Sequence, residues 1–177
     1  MRPSNRTKII AAALKMGADT PDATLQQIAQ AAGVTKQGLL YHFPDRVALQ
    51  QALIQHVFSC WEHEMSQILG RPLEQADVAE RVRAYAQVAA RGHSVEGEAR
   101  IYAELVYRVG DLSWYQDWAR RWFLESPTGV SQDPRLLTAW LAANGLWSVL
   151  TSRKIALSAQ DVEGVLEQIA ALTAPHA

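Results

Sequence analysis

The sequence predicts an all-α protein of about nine helices, a small N-terminal helix-turn-helix unit followed by a larger helical body. Two observations carry this. No strand-like alternation is sustained along the 177 residues, and apolar residues recur at helical spacing between glycine and proline breakers. Residues 24–46, TLQQIAQAAGVTKQGLLYHFPDR, read as two short helices on a tight turn, with a third helix opening at once behind them.

The first helix is predicted near 6–17, with Ile9, Ile10, Ala13 and Leu14 inward, and Gly17 and Pro21 break the chain after it. Thr24 can cap the second helix, with Gln27 three residues on as its capping-box partner. Leu25, Ile28, Ala29 and Ala32 form the apolar face of that helix, and Gly33 ends it. Thr35 can cap the third, whose inward residues are Leu39 and Leu40. Asp45 then caps a long helix reaching Leu69, striped by Leu49, Leu53, Val57, Trp61 and Ile68 and stopped by Gly70-Arg71-Pro72. Helices near 75–91, 95–109 and 112–124 follow, separated by Gly92 and Gly110. A polar loop over 126–134 leads to two last helices near 135–152 and 159–172. The predicted domains are residues 1–46 and 47–177, joined by a helix rather than a flexible linker.

Composition narrows the class. There is no unbroken apolar run of about 18 residues, which excludes a membrane span. The basic N-terminal end has a short apolar portion interrupted by Lys15, so it reads as a helix and not as a secretory signal. A single cysteine, Cys60, allows no internal disulfide and suits the cytoplasm. Residues 1–46 hold six Lys/Arg against three Asp/Glu, while the whole chain is at −1. A basic end on an acidic body suits contact with nucleic acid at that end.

The outward residues of the third helix, Lys36, Gln37, Tyr41 and His42, are hydrogen-bond donors suited to phosphates or base edges. Lys36 and Arg46 would neutralise phosphates, and Thr24 and Thr35 stand at helix starts where a phosphate can be held. Gln37 is the base-edge candidate, and Gly38 beside it would let the backbone approach a groove. Double-stranded DNA is the partner these residues predict.

The segment closely resembles the DNA-binding end of the tetracycline-repressor (TetR/AcrR) family of bacterial regulators. The parts that match are Ile28-Ala29, the turn Ala32-Gly33-Val34, the cap Thr35, the run Leu39-Leu40-Tyr41-His42-Phe43, and Arg46. One position departs: Leu40 stands where the family often has tyrosine, and Tyr41 is its neighbour, turned by ~100° on a helix. The resemblance implies an effector pocket in the body and a terminal helix pair that meets its mate in a four-helix bundle across a twofold axis.

Trp114, Trp118 and Trp122 recur every four residues and so share a helix face, which serves either as core or as the wall of a pocket. With the pocket the resemblance implies, Tyr85, Tyr102, Trp114, Trp118 and Trp122 are the effector-binding candidates; Arg108, Arg120 and Arg121 would pair with an anionic effector or lie on the surface. For the homodimer interface the candidates are Leu137, Trp140, Asn144 and Trp147 on one terminal helix and Val162, Leu166 and Ile169 on the other. His56, Cys60 and His63 lie at i, i+4 and i+7, a spacing that brings three metal-ligand types to one helix face but lacks the pattern of a structural zinc motif.

These readings predict a cytoplasmic, dimeric, ligand-responsive regulator: a repressor that binds a palindromic operator and is released by a small apolar or aromatic effector. It is expected to have no cofactor, bound metal, membrane partner or catalytic site. The alternatives are a DNA-binding protein without effector and a metal-binding helical protein built on His56, Cys60 and His63.

Overall fold

Capping residues and three positive-φ glycines set where this chain turns. The computed structural model describes residues 4–19, 23–92, 113–124, 129–152 and 155–175, with backbone alone at 17–19 and 114. Among them are eight α-helices: α1 (Asn5–Asp19), α2 (Leu25–Ala31), α3 (Lys36–His42), α4 (Arg46–Leu69), α5 (Val78–Ala89), α6 (Ser113–Ala119), α7 (Pro134–Ser152) and α8 (Ala159–Leu172). No strand occurs among the described residues. The helix predicted near 95–109, with Tyr102 and Arg108, lies outside them.

The described residues divide into two compact units, one up to Phe58 and the other from Ser59 onward, so the chain passes between them within α4. In the first unit, α1 buries Ile9, Ile10, Ala13 and Leu14, the four inward residues its period predicts. Thr24 Oγ1 accepts the Gln27 amide at 3.2 Å while Gln27 Oε1 accepts the Thr24 amide at 2.8 Å, closing the capping box of α2. The end of α2 is a Schellman motif: Gly33 stands at φ +67°, its amide bonds to the Gln30 carbonyl, and the Val34 amide reaches the Ala29 carbonyl. A β-carbon at Gly33 would touch nothing, so the constraint is purely conformational. Gly33→Ala should therefore lower the stability of this unit by ~1–2 kcal/mol. Gly164→Ala, in open space on α8, should instead raise stability by up to ~1 kcal/mol. Paired thermal melts check both; a Gly33→Ala protein as stable as the parent would show that the turn tolerates another conformation.

Two further bonds close the first unit. Asp45 Oδ1 accepts the Ala48 amide at 2.8 Å, the predicted cap of α4. Arg46 Nη1 donates to the Ala23 carbonyl at 2.7 Å, tying the start of α4 to the residue before the α2 cap.

In the second unit α4 contributes buried Trp61 and Met65 and stops at Gly70, φ +67°. The helix predicted near 75–91 starts later, because Asp77 caps it reciprocally with Glu80 and leaves Leu73–Gln75 as a 3₁₀ turn. Glu80 takes a hydrogen bond from Arg71 at 2.6 Å and one from the Asp77 amide, and both hold its carboxyl below the usual range. That contribution to stability is present at neutral pH and is lost as pH falls through the lowered value. Helix α5 buries Val78, Val82, Ala84, Tyr85, Ala86, Val88 and Ala89, almost its whole circumference, which makes it the central helix of this unit. It packs on α7 and α8, and these two also pack on each other. Gly92, φ +77°, lets the chain leave α5 against Leu150, whose β-carbon would be 3.2 Å from a β-carbon at this position.

The helix predicted near 112–124 changes pitch. After α6 the chain widens into a π turn over Arg120–Leu124. Pro134 opens α7, where its missing N–H costs nothing. Ser158 and Asp161 form the capping box of α8. The last carbonyls of α8 are met by arginines, Arg135 at Ala171 (2.8 Å) and Arg83 at Thr173 (2.6 Å), where cations complement a helix C-terminus.

Candidate nucleic-acid interface and effector face

Helices α2 and α3 pack on each other and on α1. Leu39 is fully buried and Phe43 is 2% exposed, so the inner side of α3 is sealed. Thr35 Oγ1 accepts the Gly38 amide at 3.0 Å and caps α3. A β-carbon at Gly38 would lie 3.2 Å from that hydroxyl, so Gly38 makes room for the cap.

What α3 leaves outside is a short polar row. Thr24, Thr35, Lys36 and Gln37 are exposed and His42 is half-buried. Tyr41 is 85% exposed, the largest value among the described large hydrophobic residues, and its ring lies edge-on to His42 at 5.2 Å. Arg46, predicted as a phosphate contact, is half-buried and donates to the Ala23 carbonyl.

The aromatic face of the second unit is a set of touching rings. Trp61 stands 5.1 Å from Tyr85, 6.3 Å from Trp118 and 6.0 Å from Trp147. Tyr85 lies 5.8 Å from Trp118 and 5.3 Å from Phe123, and Trp118 meets Phe123 edge-on at 5.4 Å. These are contact separations for aromatic pairs. The four-residue spacing predicted a shared face for Trp118 and Trp122. Across the π turn it is Phe123, five residues on, that meets Trp118. Trp122 instead donates Nε1–H to Glu62 at 2.7 Å and lies under the Arg121 guanidinium at 4.4 Å. Arg121 also pairs with Glu74 at 3.3 Å, and Arg120 is 4.0 Å from Asp117; both arginines are exposed and stand on the surface. The side chain of Trp114 is outside the description, as is Tyr102.

Four residues predicted at a subunit interface are engaged within the body. Asn144 Oδ1 accepts the phenol hydroxyls of Tyr85 at 2.9 Å and Tyr115 at 2.8 Å. Trp147 packs on Trp61, Trp140 lies 6.2 Å from Phe123, and Ile169 is 1% exposed. Leu137, Val162 and Leu166 are half-buried. The outward positions of α7 are Leu141, 54% exposed, with Gly145 and Ser148. Phe123 has no signal in the sequence because a change of helical pitch has no residue signature; Tyr115 precedes the π turn, and only the long-range packing brings it to Asn144. Among the described residues no three His, Cys, Asp or Glu side chains converge to hold a metal, and exposed His63 faces the Gln67 amide at 3.0 Å. The metal-binding alternative has no geometry behind it there.

The fold and its capped α2–α3 turn define a helix-turn-helix regulator with a helical body. Residues 9–53 match the model of bacterial regulatory proteins of the tetR family, and residues 79–174 match the tetracyclin repressor-like C-terminal domain. The chain belongs to the TetR family, a class of ligand-responsive transcriptional regulators. No curated protein matches it. A protein from Rhodococcus sp. assigned to the TetR-family transcriptional regulators shares the fold at TM-score 0.71 and 18% identity, over 96% of this chain and 99% of that one. NalD, the secondary repressor of the MexAB-OprM multidrug efflux pump in Pseudomonas aeruginosa, shares it at 0.61 and 19%, over 93% of each chain. The TetR-like regulator LfrR from Mycobacterium smegmatis, solved in complex with proflavine, shares it at 0.58 and 18%, also over 93% of each. Among the described residues no helix is long and apolar enough to cross a membrane.

Proposed function

We propose that this chain is a dimeric cytoplasmic repressor that reads a palindromic operator through residues 24–46 of each copy. A planar apolar or aromatic molecule entering the body releases it. In this reading residues 1–46 are the DNA-binding domain and residues 47–177 bind the effector and form the dimer. The observation that carries the DNA contact is the bare row on α3: Lys36 and Gln37 exposed and Tyr41 85% exposed over a sealed inner face. Lys36, Tyr41, His42, Thr24 and Thr35 hold phosphates, and Gln37 reads a base edge. Arg46 acts first as a clamp on Ala23.

Gln37→Ala should relax base preference at one operator position, at a cost of ~1–3 kcal/mol there. Selection of bound sequences from a random pool checks this. If the selected sequences keep the same preference, Gln37 is not the base reader.

For the effector, the neighbours supply only a direction: one was solved with proflavine, and another represses a multidrug efflux pump. Support from this chain is the aromatic set around Trp118. A planar ligand that binds among these rings parts contacts that are already made. Trp61 is one of the rings and lies on α4, whose first residue is Arg46. A ligand that binds the parted arrangement better than the closed one shifts the population toward it and so displaces α4.

For the dimer, the support is Leu141 with Gly145 and Ser148 on the outer side of α7; a β-carbon at Gly145 would meet nothing. Leu141→Arg should cost ~3–5 kcal/mol of association through an unpaired buried charge and yield monomers at micromolar concentration. Sedimentation velocity reads this directly, and an unaltered dimer would place the contact elsewhere.

A further inference from the structure

A groove of about 400 Å³ runs between α5 and α8, apart from the aromatic set. Leu166, Ile169 and Ala170 of α8 make its apolar side; Arg83, Gln87 and Arg91 line it from the other. Positions 83, 87 and 91 are four residues apart, so the three polar side chains stand in one row along the chain of α5 and its end. Such a volume is the size of a small-molecule site.

The charges along this row are unequal. Arg91 is compensated by Glu64, 2.6 Å away. Arg83 is half-buried, and its Nη1–H goes to the Thr173 carbonyl at 2.6 Å. A guanidinium has five N–H donors and that carbonyl takes one; among the described residues no carboxylate pairs with Arg83. Glu80, one helical turn before it, accepts from Arg71 at 2.6 Å through each of its oxygens, and the Arg83 charge acts on it only through space, as the weakest of the influences that lower its pKa. Glu163 and Glu167 are exposed on α8 but do not line the groove. A half-buried cation beside an apolar wall favours an anion more strongly than an exposed one would, because water screens it less.

We infer that the α5–α8 groove is a binding site for an amphipathic monocarboxylate, with its carboxylate on Arg83 and Gln87 and its apolar part on Leu166, Ile169 and Ala170. It is a second ligand site, independent of the aromatic effector face. The fork of a guanidinium matches a carboxylate, and the Gln87 amide adds a donor one turn away.

Calorimetric titration of the full-length protein with decanoate tests this, with decanol and decyltrimethylammonium as probes of the same apolar length. Decanoate should saturate at one molecule per chain and bind at least tenfold more tightly than either comparator. Arg83→Gln should weaken it about tenfold. Because Arg83 also holds Thr173, a second pair of variants avoids the fold: Gln87 is exposed, so Gln87→Glu should weaken decanoate about tenfold and Gln87→Lys should tighten it several-fold, with unchanged melting. Trp118→Phe should leave it unaltered. Four results would each overturn the inference. These are no saturable binding, equal binding of the three probes, loss with Trp118→Phe while Gln87→Glu has no effect, or a change of oligomeric state in Gln87→Glu, which would make the groove a contact between copies.

Discussion

Operator affinity should fall about a thousandfold between 50 and 200 mM salt. Each phosphate neutralised by a lysine or arginine releases condensed counterions, and ~6 such contacts per dimer already give a loss of that size. The charges are available: six Lys/Arg against three Asp/Glu in residues 1–46, with Lys36 exposed on α3. The loss should sit at the lower end of the range for such proteins because Arg46 already donates to Ala23. Lys36→Ala should make the slope of log affinity on log salt shallower by about 2 for the dimer, one contact per copy. Arg46→Ala should act differently, lowering the melting temperature of the DNA-free protein along with DNA affinity. A fall of less than about tenfold across that salt range, in fluorescence anisotropy with a labelled operator, would mean that phosphate neutralisation does not dominate.

Phe123→Ala should destabilise the body by ~3–5 kcal/mol, the largest effect on folding stability of any single substitution considered. Phe123 is fully buried and its ring meets Tyr85, Trp118 and Trp140. It lies in the π turn over Arg120–Leu124. Tyr115→Phe, which removes one of two hydroxyls on Asn144, should cost only ~0.5–1.5 kcal/mol. Urea unfolding of both variants, followed by tryptophan fluorescence, makes the comparison. If Phe123→Ala cost no more than Tyr115→Phe, the rings would not be the structural centre of this unit.

Local chemistry was legible from residue order. The Thr24–Gln27 and Thr35 caps, the Gly33 stop, the Asp45 cap and the four buried residues of α1 follow from neighbours a few positions apart, and these contacts form in almost any context. The ends of α4, α7 and α8 were readable for the same reason, as were the family and the helix-turn-helix unit. Tertiary structure alone decided what side chains do at long range. Only the fold brings the Ala23 carbonyl, 23 residues away, within 2.7 Å of the Arg46 guanidinium. Only the fold converges Tyr85 and Tyr115 on the Asn144 oxygen. Trp118 and Trp122 read as one face until a π turn substitutes Phe123, because periodicity counts residues and cannot see a change in residues per turn. The α5–α8 groove is of the same kind: Arg83 and Leu166 lie far apart in the chain, and only the packing of α8 on α5 makes them neighbours.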